Sequence, residues 1–194
     1  MRILKGLFAV VLLTFGTTAM AVPITFIHSG SGSGSIGGTD FANTDFVITA
    51  IGDTDDKDNQ GGFADFIDHQ SASILISGVG TFDFVTGTRT FLNGTTVGFS
   101  RAGDGGLDLF NGPSNAGLSG WDMASSIGPV GGTGGLLQWG NSDVITNAGV
   151  LFFNGGSSDA TFQAIVGVPE PGSLTLLSVA LLGFGLLRRR KKIG

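Results

Sequence analysis

The sequence predicts an all-β ectodomain, a jelly-roll-like β-sandwich, flanked by an N-terminal signal peptide and a single C-terminal transmembrane helix. Three observations predict it. Glycine occurs 35 times in 194 residues, helix formers are few, and Thr, Val, Ile and Phe are common, a composition that favours short strands and tight turns. Apolar and polar residues alternate in segments such as Thr81-Phe82-Asp83-Phe84-Val85 and Thr161-Phe162-Gln163-Ala164-Ile165-Val166, the period of a strand with one buried face. Uncharged apolar runs lie near both ends, where targeting segments sit.

At the N-terminus, Arg2 and Lys5 precede the apolar run Leu7 to Leu13, and Ala19-Met20-Ala21 puts small residues at the two positions a signal peptidase requires. Residues 1–21 are therefore expected to be removed after Ala21. The secreted domain is expected over residues 22–167, a length that can bury a single core. It has no cysteine, so no disulfide braces it and no thiolate supplies chemistry.

Strand candidates within it are Ile24 to His28, Asp45 to Ile51, Ser73 to Ser77, Thr81 to Val85, Arg89 to Leu92, Thr95 to Ser100, Leu107 to Phe110, Leu136 to Trp139, Val150 to Phe153 and Thr161 to Val166. Turn signals such as Asn93-Gly94 and Asn154-Gly155-Gly156 separate many of them. Roughly ten short strands at this spacing read as two packed sheets. A right-handed β-helix is the rival, but no regular repeat supports it. Between the first two strands, the Ser-Gly repeat from Ser29 to Gly38 reads as a flexible linker. No Gly-Lys-Ser/Thr follows it, so it is not a phosphate cradle. Gly112 to Gly135 reads as a second irregular stretch, anchored by Trp121 and Met123.

Charge limits the partners. Between the two targeting segments Lys57, Arg89 and Arg101 stand against fourteen aspartates, a formal charge of −11 over residues 22–168. Such a surface repels nucleic acid and attracts cations or basic partners. Asp53, Asp55, Asp56 and Asp58 crowd one loop and are candidate calcium ligands, because a hard cation takes several oxygens from such loops. Aligned on Asp56, the loop places Asp58, Gln60 and Gly61 as an EF-hand would. Position twelve, however, is Ile67, and the bidentate acid is missing. Gly103 to Phe110 resembles one calcium-binding nonapeptide, but such repeats bind by stacking and this one occurs once. Two readings therefore stand for these segments, a solvated acidic turn or a calcium-stabilised loop.

No catalytic residue is assigned, and the chain is expected not to be an enzyme. Gly98-Phe99-Ser100-Arg101-Ala102 and Gly112-Pro113-Ser114-Asn115-Ala116 both miss the last glycine of a nucleophile elbow. His28 and His69 are the only histidines, at unrelated strand and loop positions, and any effect of replacing them is expected on stability. Fourteen aspartates offer no way to choose a glycosidase pair. Thr86, Thr88 and Thr90 share one strand face, expected to be the solvent face.

The C-terminus is the most explicit part. Pro169-Glu170-Pro171 precedes an uncharged apolar run, Ser173 to Leu187, and the basic cluster Arg188, Arg189, Arg190, Lys191 and Lys192 follows. Fifteen residues at the helical rise span roughly 22 Å against a hydrocarbon core of about 30 Å, so the predicted helix over 173–187 is a short anchor. The basic cluster orients it with the tail in the cytoplasm and the domain outside. Glu170 is the only glutamate in the chain, which singles it out. Residues 168–194 as a whole resemble the PEP-CTERM sorting signal of Gram-negative bacteria. That resemblance implies recognition and cutting by an exosortase, an integral-membrane cysteine transpeptidase, and a membrane-anchored precursor that becomes a cell-surface or extracellular-matrix protein. It also implies an association with exopolysaccharide and biofilm formation, so the domain is expected to be structural or adhesive. The alternative is an extracellular polysaccharide-active hydrolase carrying the same signal.

Overall fold

A computed structural model describes residues 22–59, 61–103 and 106–167. The predicted signal peptide with Ala19 and Ala21 lies outside them, as do Pro169, Glu170 and Pro171, the predicted helix 173–187 and the basic cluster. Among the described residues no helix is long and apolar enough to cross a membrane.

The domain is all-β and antiparallel. Its strands are β1 (Pro23–Ile36), β2 (Thr39–Asp53), β3 (Asp58–Asn59), β4 (Asp65–Asp68), β5 (Ser71–Ile76), β6 (Gly80–Asp83), β7 (Thr88–Asn93), β8 (Thr96–Arg101), β9 (Asp108–Ser114), β10 (Ile127–Leu136), β11 (Val144–Thr146), β12 (Gly149–Phe153) and β13 (Gly156–Val166). Where two separate sheets were expected, hydrogen bonding links the strands into one sheet, in the order β3-β4-β7-β8-β9-β10-β13-β1-β2-β5-β6. β12 adds to the far half of β1 and carries β11. A bridge between Phe84 and Thr146 then ties the β6 side back to β11.

Side-chain contacts show that this sheet folds over itself. β1 and β7 are distant in the ladder, yet His28 Nε2 lies 3.0 Å from Thr90 Oγ1. Likewise Phe46 of β2 meets Phe110 of β9 with ring centroids 5.2 Å apart. The enclosed layer holds Phe26, Phe46, Phe99, Phe110, Phe153 and Phe162, all fully buried. Each contributes about 2 kcal/mol by burial, and the layer braces a domain that has no disulfide. Trp121 and Met123 are buried anchors, as expected from sequence. Trp139, expected at the end of a strand, lies beyond β10 instead. Its indole is buried against Phe153 and donates to the Leu109 carbonyl at 2.7 Å.

The Ser-Gly repeat is a strand and not a linker. It continues β1, pairing Ser29 with Val47, Ser31 with Asp45 and Gly34 with Phe41. The repeat has a period of two, so its glycines fall in phase with the inward residues Ile24, Phe26, His28 and Ile36. A Cβ at Gly32 would stand 2.6 Å from Leu136 Cδ1 and 2.9 Å from Phe153 Cδ1, and one at Gly34 would collide with the Phe152 carbonyl. Large side chains from neighbouring strands fill the space these glycines leave. Gly37 and Gly38, both with positive φ, then form the two-residue turn into β2.

Candidate functional site

Parity along β7 decides what faces in and what faces out. Thr88, Thr90 and Leu92 are buried, so the threonine row expected on the solvent face points into the core. Arg89, Phe91 and Asn93 therefore take the outer face. The inward hydroxyls find buried polar partners. Thr90 Oγ1 lies 3.0 Å from His28 Nε2 and 2.9 Å from His69 Nε2, and Thr88 Oγ1 lies 2.9 Å from His69 Nδ1. The two histidines that looked unrelated in sequence thus share one buried threonine.

Their surroundings hold both rings neutral. Burial lowers the His28 pKa to about 3. Burial also places His69 well below its ordinary value, helped by the nearby His28 and Arg89 charges. His28 Nδ1 is buried without a partner. The tautomer with Nε2–H donating to Thr90 leaves this nitrogen an unmet acceptor rather than an unmet donor. Thr90 then donates to His69 Nε2, and His69 Nδ1–H donates to Thr88. His69 stacks on Phe99 and packs near Phe26. His28 is fully buried, and His69 is partly buried with both ring nitrogens hydrogen-bonded to threonines.

The aspartate loop has a structural account of its own. Asp53 is buried and caps the 3-10 turn Thr54–Asp56, its Oδ1 accepting from Asp55 N at 2.9 Å. Asp58 accepts from the following backbone amide of Asn59, and Asp55, Asp56 and Asp58 are otherwise exposed. Lys57 reaches away to Asp65 and to the Asp122 carbonyl. Among the described residues no three acidic or histidine side chains come together as a metal site. In the nonapeptide-like segment, Asp104 and Gly105 lie outside the described residues.

On the outer face of β4, β7, β8 and β9 the sheet bears a cavity of about 620 Å³. Phe91 is part of its lining and lies against Gly98 of β8. A Cβ there would collide with the Phe91 ring, so glycine lets that ring lie across β8 beside Asn111. Phe66 forms a wall capped by the Arg89 guanidinium, 4.2 Å from the ring centroid, and Arg89 Nε is held 2.8 Å from Asp68 Oδ1. Opposite, Asp108 is half-buried; desolvation raises its pKa, while a hydrogen bond from Asn111 Nδ2 at 3.1 Å works against that rise. Asn111 Oδ1 is buried with no partner in the protein. Phe63 stands at the rim, 72% exposed. Sequence reasoning missed this site, because the threonine parity of β7 was expected outward and Phe91 therefore inward.

β13 ends at Val166, opposite Ile24, and Gly167 N donates to the Pro23 carbonyl at 2.7 Å. The strand that closes the domain therefore ends where the tail begins. The family model of the PEP-CTERM protein-sorting motif matches residues 167–191. No curated protein and no solved structure matches the chain.

Proposed function

From a chain that carries a PEP-CTERM protein-sorting motif, which supports exosortase-dependent sorting of an extracellular protein, we propose a structural or adhesive protein of an exopolysaccharide matrix or biofilm. It is made as a membrane-anchored precursor with a C-terminal helix over 173–187, relieved of residues 1–21 by signal peptidase, and released to the cell surface of a Gram-negative bacterium by cutting near Glu170. The observation that carries this reading is the motif match at 167–191, immediately after a strand that completes the fold. The sandwich-like, acidic domain is then the functional cargo.

Among the described residues lining the outer cavity there is one carboxylate, Asp108, and neither histidine. A glycosidase needs a pair of carboxylates across the scissile bond, so the hydrolase reading gains no residue from the fold.

Processing in the producing cell tests the proposal. Intact-mass analysis of the surface pool is expected to find the domain without Ser173 onward. Glu170→Ala, or neutralisation of Arg188 to Arg190, is expected to leave uncut membrane-bound precursor. A surface pool that retains the tail, or normal maturation of both variants, would reduce the tail to an ordinary anchor.

A further inference from the structure

We propose that the cavity on the outer face of β4, β7, β8 and β9 binds an uncharged oligosaccharide. This rests on the matrix reading above and names the chemistry through which the domain meets its matrix. A volume of about 620 Å³ lies within the range of small-ligand sites. Its lining combines aromatic and polar groups. Phe63 is left 72% exposed at the rim by a fold that buries six other phenylalanines completely, and Phe91 lies against Gly98. Rings placed this way offer flat apolar surfaces to the C–H face of a pyranose. Between them Asn93, Thr96 and Asn111 offer amide and hydroxyl groups, donors and acceptors together, as a polyol requires. Asn111 Oδ1 is an acceptor that the protein leaves unmet, which is uncommon in a folded interior.

Charge narrows the ligand further. The charge of Arg89 is balanced by Asp68 at 2.8 Å and its guanidinium is laid on Phe66, so the wall it forms carries little net positive charge. Asp108 adds negative charge to the wall, and the domain around it carries a formal −11. An anionic glycan or a nucleotide would meet repulsion from both. A purely apolar ligand would leave the amides and the carboxylate unpaired.

Saturation-transfer NMR on the full-length chain, held in a detergent without sugar headgroups, tests the assignment. The probes are cellohexaose, laminarihexaose, isomaltohexaose and, as the charged arm, oligomannuronate. At least one neutral hexasaccharide is expected to bind in the roughly millimolar range. Phe63→Ala and Asn93→Ala, both exposed positions, are expected to weaken that binding by about tenfold while leaving Tm unchanged. Absence of binding by all three neutral probes, tighter binding of oligomannuronate, or neutral binding indifferent to both substitutions would overturn the site. Tail processing is read in cells and saccharide binding in solution, so failure of either leaves the other result interpretable.

Discussion

At the scale of single residues, the histidine pair makes the fold sensitive to acid. An unfolded histidine titrates near 6.5, whereas His28 in the fold titrates at about 3 and His69 well below its ordinary value. Between those values the unfolded chain binds more protons, so stability is fully present above about pH 6.5 and falls as pH drops through the window. Each histidine contributes a slope of up to about 1.4 kcal/mol per pH unit. Among the carboxylates, Asp65 is held low by its hydrogen bond from Asn59 and Asp122 by the Ala124 amide, while burial raises Asp108. The two lowered carboxylates move away from the interval between pH 6.5 and 5, where the histidine change is read, while Asp108 is moved toward it and is controlled for by Asp108→Asn. Urea midpoints should fall little from pH 7.5 to 6.5 and clearly from 6.5 to 5.5, and His28→Gln should remove about half of that slope at some cost in absolute stability. Equal midpoints across that range would mean that the rings are not buried neutral. The inward parity of His28 was legible in sequence, since it shares a face with Ile24 and Phe26. Its meeting with His69 was not, because that contact depends on the sheet folding over itself.

At the scale of elements, β1 is where composition misled and periodicity told the truth. Serine and glycine suggest a linker, yet a strict alternation is a strand pattern whose inward positions have been emptied for close packing. Gly34→Ala would drive a methyl group into the Phe152 carbonyl of the neighbouring strand, and is expected to cost about 3 kcal/mol, read as a lowered urea midpoint. Ser31→Ala, three residues earlier on the outward parity, should change the midpoint by no more than about 0.5 kcal/mol. The loop between β2 and β4 carries the opposite lesson. Its carboxylate density suggested calcium; Asp53 serves as a cap, and among the described residues Asp55, Asp56 and Asp58 are exposed and not grouped as a metal site. Millimolar calcium at fixed ionic strength should shift Tm no more than magnesium does. A calcium-specific rise would restore the loop as a binding site, since a ligand of the native state stabilises it by RT ln(1 + [L]/Kd).

At the scale of the whole molecule, the parts that were legible are linear and the part that was not is assembled. The tail is read from consecutive residues, Pro169-Glu170-Pro171, an apolar run and a basic cluster, and the family match falls on the same segment. The outer cavity draws Phe63, Phe91 and Asn111 from separate segments, and no spacing in the sequence announces that they meet. Sheet continuity was hidden for a related reason. Alternation reports which face a residue takes but not which strand lies beside it, so one folded sheet and two packed sheets leave the same pattern.

The pairing of Ile24 with Val166 also bears on biogenesis. β2 covers one edge of the first strand at once, but the near half of its other edge is paired by the last strand, so the ladder there joins the two most distant parts of the domain. A protein exported N-terminus first exposes β1 long before β13 arrives, and contacts of such separation form slowly. In the interval the edge of β1 that awaits β13 presents unpaired amides and carbonyls, a template for the wrong strand. Attachment of the tail to the membrane at that moment would hold the last strand close to the site of emergence and keep neighbouring copies apart. If the tail is anchored as proposed, the sorting segment would serve as a tether as well as an address while β13 docks beside β1.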